Sequence, residues 1–328
     1  MHATNIAETN GAERHTAERI AAPDRRASEG HPLERRMVRF DWSTTPVHWV
    51  PDDPFSTHMI NVLHLLLPAG ERWFIGVVNE ASGLVRDPEL SEAIKPFVQQ
   101  ESWHAWAHAA VLEQLAACGI DSGPFTSRLE AWFDKIGSDK PNWPRSLQRW
   151  WLHRRLAEVA AIEHFTAVLG QWVIQSRGLD YARADPTMLD LLRWHGSEEI
   201  EHRSLVYDVF QELSGSYLLR CAGMLFTAPA LLGWWLYGVR YLMSEDPTVD
   251  RGPRWRDWLR AARQYRVPGP WMLIVTTPLR YLRPSHHPLH EASTELAMQY
   301  LAQSPAARRA KQAATDRGGP ADELSSFR

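Results

Sequence analysis

Residues 194–202 read WHGSEEIEH, two histidines and three glutamates in nine positions. Imidazoles and carboxylates at this density either bind metal or decorate a solvated helix face. Residues three, four and seven apart share one face of a helix. His195, Glu199 and His202 therefore fall on one stripe, Glu198 flanks it, and Glu201 points away. A second stretch, QESWHAWAH (100–108), puts Glu101, His104 and His108 on one stripe in mirror order. Both stretches are set among Trp and Ala rather than Lys and Arg, unlike a solvated face.

Two helices that each carry E-x-x-H supply half of a dinuclear ligand set, and two further helices with one inward Glu each supply the rest. Glu71 in LLPAGERWFIGVVNE and Glu163 in AEVAAIEHFTAVLGQW meet that need, each preceding one E-x-x-H helix. An acid amid Ala, Val, Ile and Phe is costly to bury unpaired, and a dication relieves the cost. The expected metal ligands are Glu71, Glu101, His104, Glu163, Glu199 and His202, around two ions. Iron is expected first, with manganese or zinc as alternatives. His108 and His195 exceed this set and are either extra ligands or groups that orient the carboxylates. Glu71 also fits a helix-dipole acid in a first turn. Glu158 is expected to pair with Arg154 or Arg155. His164 is read as a core residue or a support for Glu163, and Tyr207 and Asp208 as supports or channel residues. His58, His64 and His153 are read as structural.

These side chains need long helices, and the chain supplies the pattern for them. Apolar residues recur at three and four, and Asp87-Pro88 and Asp185-Pro186 each place a cap before an N1 proline. Helices are expected at about 55–66, 69–84, 89–118, 124–137, 145–177 and 186–213, with Pro68 ending the first and Pro96 kinking the third. No alternating strand set and no Gly-rich phosphate loop is present. The expected fold is all-α, a ferritin-like four-helix bundle with a dinuclear site and additional C-terminal helices. A disordered segment is expected over 1–36 and a disordered tail over 304–328. Between them lies one helical domain (37–303), with the metal-binding bundle at about 55–213 and apolar C-terminal helices at about 215–303. Residues 37–54 are expected to be extended across the body.

Hydrophobic residues are 44% and charged residues 23%, ordinary for a soluble globular chain. A net charge of -3 gives no electrostatic case for nucleic acid. The two cysteines, Cys118 and Cys221, are far apart, which implies no disulfide framework and fits a reducing cytoplasm. The start carries no apolar secretory run. Residues 221–239 are uncharged over a span of roughly 28 Å as a helix, nearly a bilayer core. Either this is a buried core helix, or it makes peripheral contact with the inner face of the membrane.

Taken together, PAGERWF, VRDPEL, FVQQESWHAWAH, EHFTAVL, WHGSEEIEHRSLVYDVF and YLRPSHHPLHE resemble the bacterial family of predicted metal-dependent hydrolases, from about Met37 to about Glu291. The resemblance implies a helical bundle that binds metal through the matching glutamates and histidines. The family's closing His-Pro motif is usually followed by Asp, and Glu291 stands near that place here. The residues leave the reaction between three readings. Carboxylate-rich sites with one His per metal suit iron and manganese. Neither a His-Asp dipeptide nor a G-x-S-x-G elbow occurs. The expected function is therefore an O2-activating non-heme di-iron enzyme of oxygenase or hydroxylase type. Its expected partners are a small apolar substrate, an electron donor and a second copy in a homodimer. The alternatives are a metal-dependent hydrolase and a non-enzymatic iron-binding bundle.

Overall fold

Three Asp-Pro pairs start the helices that matter most. In the computed structural model, which describes residues 33–269 and 271–316, Asp53, Asp87 and Asp185 cap α1 (Pro54–Ser82), α2 (Pro88–Ala117) and α6 (Pro186–His202). Each carboxylate accepts from first-turn backbone N–H groups, as Asp185 does from Met188 at 2.9 Å. The proline at N1 gives up no hydrogen bond there. α3 (Gly123–Gly137), α4 (Arg145–Gln175), α5 (Arg177–Tyr181), α7 (Leu205–Leu213) and α8 (Tyr217–Glu245) complete the main body. α9 (Trp255–Tyr265), α10 (Thr277–Tyr281), α11 (Thr294–Gln303) and α12 (Pro305–Asp316) follow. Among the described residues the chain is all-helical, without a strand.

α1 packs on α2, α4 on α6, α1 on α4, and α2 on α6, so these four helices enclose a common interior. Two apolar clusters fill the body, one built around Trp49, Phe55, Leu191 and Trp194 and the other around Phe74, Phe97, Leu156 and Phe210. Residues 37–53 run without helix over the body, and Trp49 donates to Asn61 at 2.7 Å. Asp185 N donates to the Trp49 carbonyl at 2.8 Å, which ties that segment to the start of α6.

Three expectations change. The two helices expected on either side of Pro68 are one helix, with Pro68 buried inside α1. A mid-helix proline costs about 3 kcal/mol, and the burial of Leu65, Leu67, Phe74 and Val78 along the same helix outweighs it. The helix expected over 186–213 breaks at Arg203 and Ser204. At the break, buried Arg203 donates to the carbonyls of Pro288 and Leu289, each at 3.1 Å. The tail expected to lack structure from Ser304 includes α12, because Asp190 of α6 accepts from Ser304 Oγ at 2.7 Å and Ala306 N at 2.9 Å. Residues 317–328, and the expected N-terminal segment up to residue 32, lie outside the described residues. The uncharged 221–239 stretch is the middle of α8, the one helix among the described residues long and apolar enough to cross a membrane. It packs along α4 and α1, where a Cβ on Gly223 would lie 2.9 Å from the Ala157 carbonyl oxygen.

Candidate metal centre

Each of the four enclosing helices turns some of the Glu/His pattern inward. Glu71 comes from α1, Glu101 and His104 from α2, Glu163 from α4, and His195, Glu199 and His202 from α6. All seven are buried, none more than 5% exposed. Their donor atoms gather in two overlapping groups, Glu71/His104/His195/Glu199 and Glu101/His104/Glu199/His202, each with its atoms within 4.8 Å of one another. His104 and Glu199 belong to both. Glu163 stands beside these groups, with Oε2 at 3.1 Å from His202 Nδ1, while Glu101 Oε1 is 3.1 Å from His202 Nε2.

The fit to a cation can be tested on hydrogen bonding alone. Buried polar atoms are almost always paired. Here both oxygens of Glu71, Glu101 Oε2, Glu163 Oε1, Glu199 Oε2 and His104 Nδ1 are buried without a hydrogen-bond partner, and the 3.1 Å approach of Glu101 Oε1 to His202 Nε2 lacks hydrogen-bond alignment. Every one of the six expected ligands thus contributes an atom that no hydrogen bond satisfies. Leaving that many buried oxygens unpaired costs several kcal/mol, and a divalent cation is the group that oxygens and imidazole nitrogens together would hold.

The remaining atoms of the same side chains are pinned from outside. His104 Nε2 lies 2.8 Å from Glu198 Oε2, which leaves Nδ1 facing inward. Glu198 also accepts from Arg36 and from Trp194 Nε1, both at 3.0 Å. Arg36 further holds Glu201 through both of its terminal nitrogens, at 2.7 and 3.0 Å, so Glu201 is turned from the centre. His195 Nε2 is 2.8 Å from Glu199 Oε1, His108 Nε2 is 2.7 Å from His195 Nδ1, and His64 Nδ1 is 2.6 Å from His108 Nδ1. The Glu199 oxygen can only accept, so His195 donates through Nε2 and must accept at Nδ1. It follows that His108 donates through Nε2 and accepts at Nδ1 from His64. Three neutral imidazoles thus form one directed chain ending on Glu199.

Electrostatics agree with that assignment. Burial pushes His64 down to about 3, His195 down to about 4, and His108 well below its ordinary value, so all three stay neutral. In the centre itself, burial and then repulsion from Glu101 raise Glu71 well above the usual carboxylate range. Burial and Glu199 raise Glu101, and burial raises Glu163 to about 8 against the pull of His202. Burial opposes ionisation of Glu199 too, but His202, His104 and His195 hold it well below its ordinary value. Burial would lower His104, yet Glu198 and Glu199 lift it to about 10. His202 is raised likewise, by Glu163, Glu199 and Glu101 acting against burial. Crowding of four acids with two imidazoles thus keeps protons on Glu71 and Glu163 and on His104 and His202, protons that bound dications would displace.

The model of one protein family, described as predicted metal-dependent hydrolase, matches residues 34–292. This chain belongs to that family. No curated protein and no solved structure matches the chain significantly. Membership places the chain in a metal-dependent enzyme family, and its buried His and Glu groups are able to hold metal. It also corrects the expectation of an O2-activating di-iron oxidoreductase, because the family is one of hydrolases. The physical reason lies in the ligands. Carboxylate-rich ligand sets select hard or borderline cations, and such cations serve hydrolysis as well as oxygen chemistry.

Sequence spacing misses several residues of the centre. Arg36, placed in the segment expected to be disordered, reaches Glu198 and Glu201. Its spacing from them exceeds 160 residues, so no local pattern could reveal it. Glu198, by spacing only a flanking acid, is the partner of His104. His64, expected to be structural, heads the imidazole chain, and its position seven residues before Glu71 is the available signal. Glu158 pairs with Arg154 at 2.6 Å, as expected. Tyr207 and Asp208 face the closing His-Pro segment, through the His286 carbonyl at 2.7 Å and His287 Nε2 at 3.2 Å.

Proposed function

We propose that this protein is a metal-dependent hydrolase that cleaves an ester or amide carrying an aliphatic chain. In this reading α1, α2, α4 and α6 form a ferritin-like bundle. Glu71, Glu101, His104, Glu163, Glu199 and His202 hold two divalent ions, and His195 orients Glu199 rather than ligating. The observation that carries the proposal is the set of buried carboxylate and imidazole atoms without partners. The two four-residue groups adjoin through His104 and Glu199, and two ions are the reading of the doubled E-x-x-H pattern with its two further acids. When bound, the metal supplies Lewis-acid polarisation of a carbonyl and makes water acidic enough to attack near neutral pH.

The chain's own residues do the positioning. Glu198 keeps the Nε2 proton of His104 and so fixes Nδ1 as the inward lone pair. His195, held in one tautomer by His108, keeps Glu199 Oε1 and leaves Oε2 free. Glu163 fixes the ring of His202 from Nδ1. The interior around them excludes bulk water, since every one of these side chains is nearly or fully buried.

The apolar chain of the substrate is read from the cavities. One cavity reaches His195 and Glu199 and is otherwise lined chiefly by apolar side chains. A second, almost wholly apolar, lies beneath Leu231 and Trp234 of α8. Leu63, Leu67, Thr166 and Leu169 line both, so the two adjoin. Exposed Leu218, Leu225 and Leu236 on α8 support uptake of such a chain at a lipid surface. The test is cleavage of nitrophenyl esters of graded chain length by zinc- and manganese-loaded protein. Metal-dependent turnover that rises with chain length and disappears in Glu199→Ala is expected. Cleavage of no ester by any metal form, or cleavage indifferent to chelation, overturns the reading.

A further inference from the structure

A second cluster of partnerless buried atoms lies beside α4, outside the centre described above. His164 follows Glu163, and successive helical positions point about 100° apart, so its ring faces the C-terminal segment. Its Nε2 is 3.3 Å from the Thr277 carbonyl oxygen. Its ring lies 5.0 Å from that of His286 and 5.1 Å from that of Tyr281. His286 Nδ1 is in turn 3.5 Å from Glu291 Oε1. One donor atom each from His164, His286 and Glu291 comes within 4.8 Å of the others.

The hydrogen bonds leave this group incomplete. If His164 donates through Nε2 to Thr277, its Nδ1 is a lone pair, and that atom is buried with no donor facing it. His286 Nε2, Tyr281 Oη and Thr277 Oγ1 are buried without partners as well. His164 is 1% exposed, so water does not satisfy it from the surface. A third cluster, of His48, His58 and Asp246, shows a carboxylate with both oxygens satisfied, although His58 Nδ1 is buried without a partner. There His48 and His58 both place Nε2 at 2.7 Å from Asp246 Oδ2, and Thr248 donates to Oδ1 through N and Oγ1. That carboxylate is consumed by hydrogen bonds, whereas His164 Nδ1 and His286 Nε2 beside α4 are not.

We propose that His164, His286 and Glu291 form a separate zinc site that clips the closing His-Pro segment to α4. Two imidazoles and one carboxylate suit zinc, with a fourth position left open. The outer partners are already in place. The Thr277 carbonyl sets the His164 tautomer, and Arg280 takes Oε2 of Glu291 and leaves Oε1 toward His286. The Arg280 charge offsets that of Glu291, so the site depends on its two neutral imidazoles. Zinc here would hold residues 282–291 against the same helix that carries Glu163.

The experiment is a zinc titration of metal-free, full-length protein against a chromophoric chelator, counting equivalents bound. His286→Ala and Glu291→Gln are each expected to bind one zinc fewer than wild type. Glu199→Ala is expected to lose zinc from the main centre and keep this equivalent. Zinc should still raise the melting temperature of Glu199→Ala, and should not raise that of Glu199→Ala/His286→Ala. Wild-type stoichiometry in both His286→Ala and Glu291→Gln overturns the proposal, whatever the main centre does. Glu291→Gln preserves shape and hydrogen bonding to Arg280, so it decides the matter if His286→Ala does not fold. Failure of the main centre reads differently, as a wild type that binds a single zinc insensitive to Glu199→Ala.

Discussion

Gly196 stands between His195 and the two turns that carry Glu199 and His202, and it meets Gly170 where α6 crosses α4. A Cβ on Gly196 would lie 2.6 Å from the Gly170 Cα, and one on Gly170 would lie 2.3 Å from the Gly196 carbonyl oxygen. Carbon atoms rest at about 3.5–4.0 Å, so Gly196→Ala must push the α4 and α6 backbones apart by about 1 Å. Neither obstacle is a flexible side-chain end. In a helix interior the same substitution otherwise gains about 0.5–1 kcal/mol of backbone entropy. Overpacking of a close helix contact costs about 1–3 kcal/mol or more, so the net effect is destabilising by about 1–2 kcal/mol. The shift also moves His195 and Glu199 away from Glu71 and Glu101. A misplacement of about 1 Å in a positioned site costs on the order of 100-fold in function. The assay pairs thermal melting with metal affinity, and Gly233→Ala is the control because a Cβ there meets nothing within 4 Å. Gly233→Ala should melt at or slightly above wild type. A Gly196→Ala protein that melts as high as Gly233→Ala and binds metal as tightly as wild type would refute the crossing as the device that sets the site.

Glu101→Ala and Glu199→Ala should lower bound metal sharply by elemental analysis, while Glu201→Ala, held outside by Arg36, should keep wild-type stoichiometry. Glu198→Gln should keep the fold yet weaken metal affinity by about 10-fold or more, because His104 loses its charged orienting partner. Asp190→Asn replaces one acceptor of Ser304 Oγ and Ala306 N by a donor, so α12 should fray. Trypsin would then cut at Arg308, Arg309 or Lys311 several-fold faster than in wild type, with the main melting transition little changed. Flotation with liposomes tests lipid contact by α8, and Leu225→Glu or Leu236→Glu should abolish it without altering metal content.

How much of this is legible in the sequence follows from the range of each interaction. The all-helical fold is readable because apolar spacing, Asp-Pro starts and E-x-x-H motifs are local, acting over one or two turns. The same locality gathers Glu101 with His104 and Glu199 with His202 on shared faces, and it singles out Glu71 and Glu163 as acids in apolar surroundings. Continuity through Pro68 is not readable, since the burial that offsets a mid-helix proline is tertiary. Nor is the break at Arg203, whose guanidinium is drawn to carbonyls more than 80 residues away. Arg36 on Glu198 and Glu201, Asp190 capping α12, and the directed chain from His64 to Glu199 all join residues distant in sequence. Local patterns therefore determined which side chains could meet a metal. Only packing decided which of their atoms were pinned by partners and which were left facing inward.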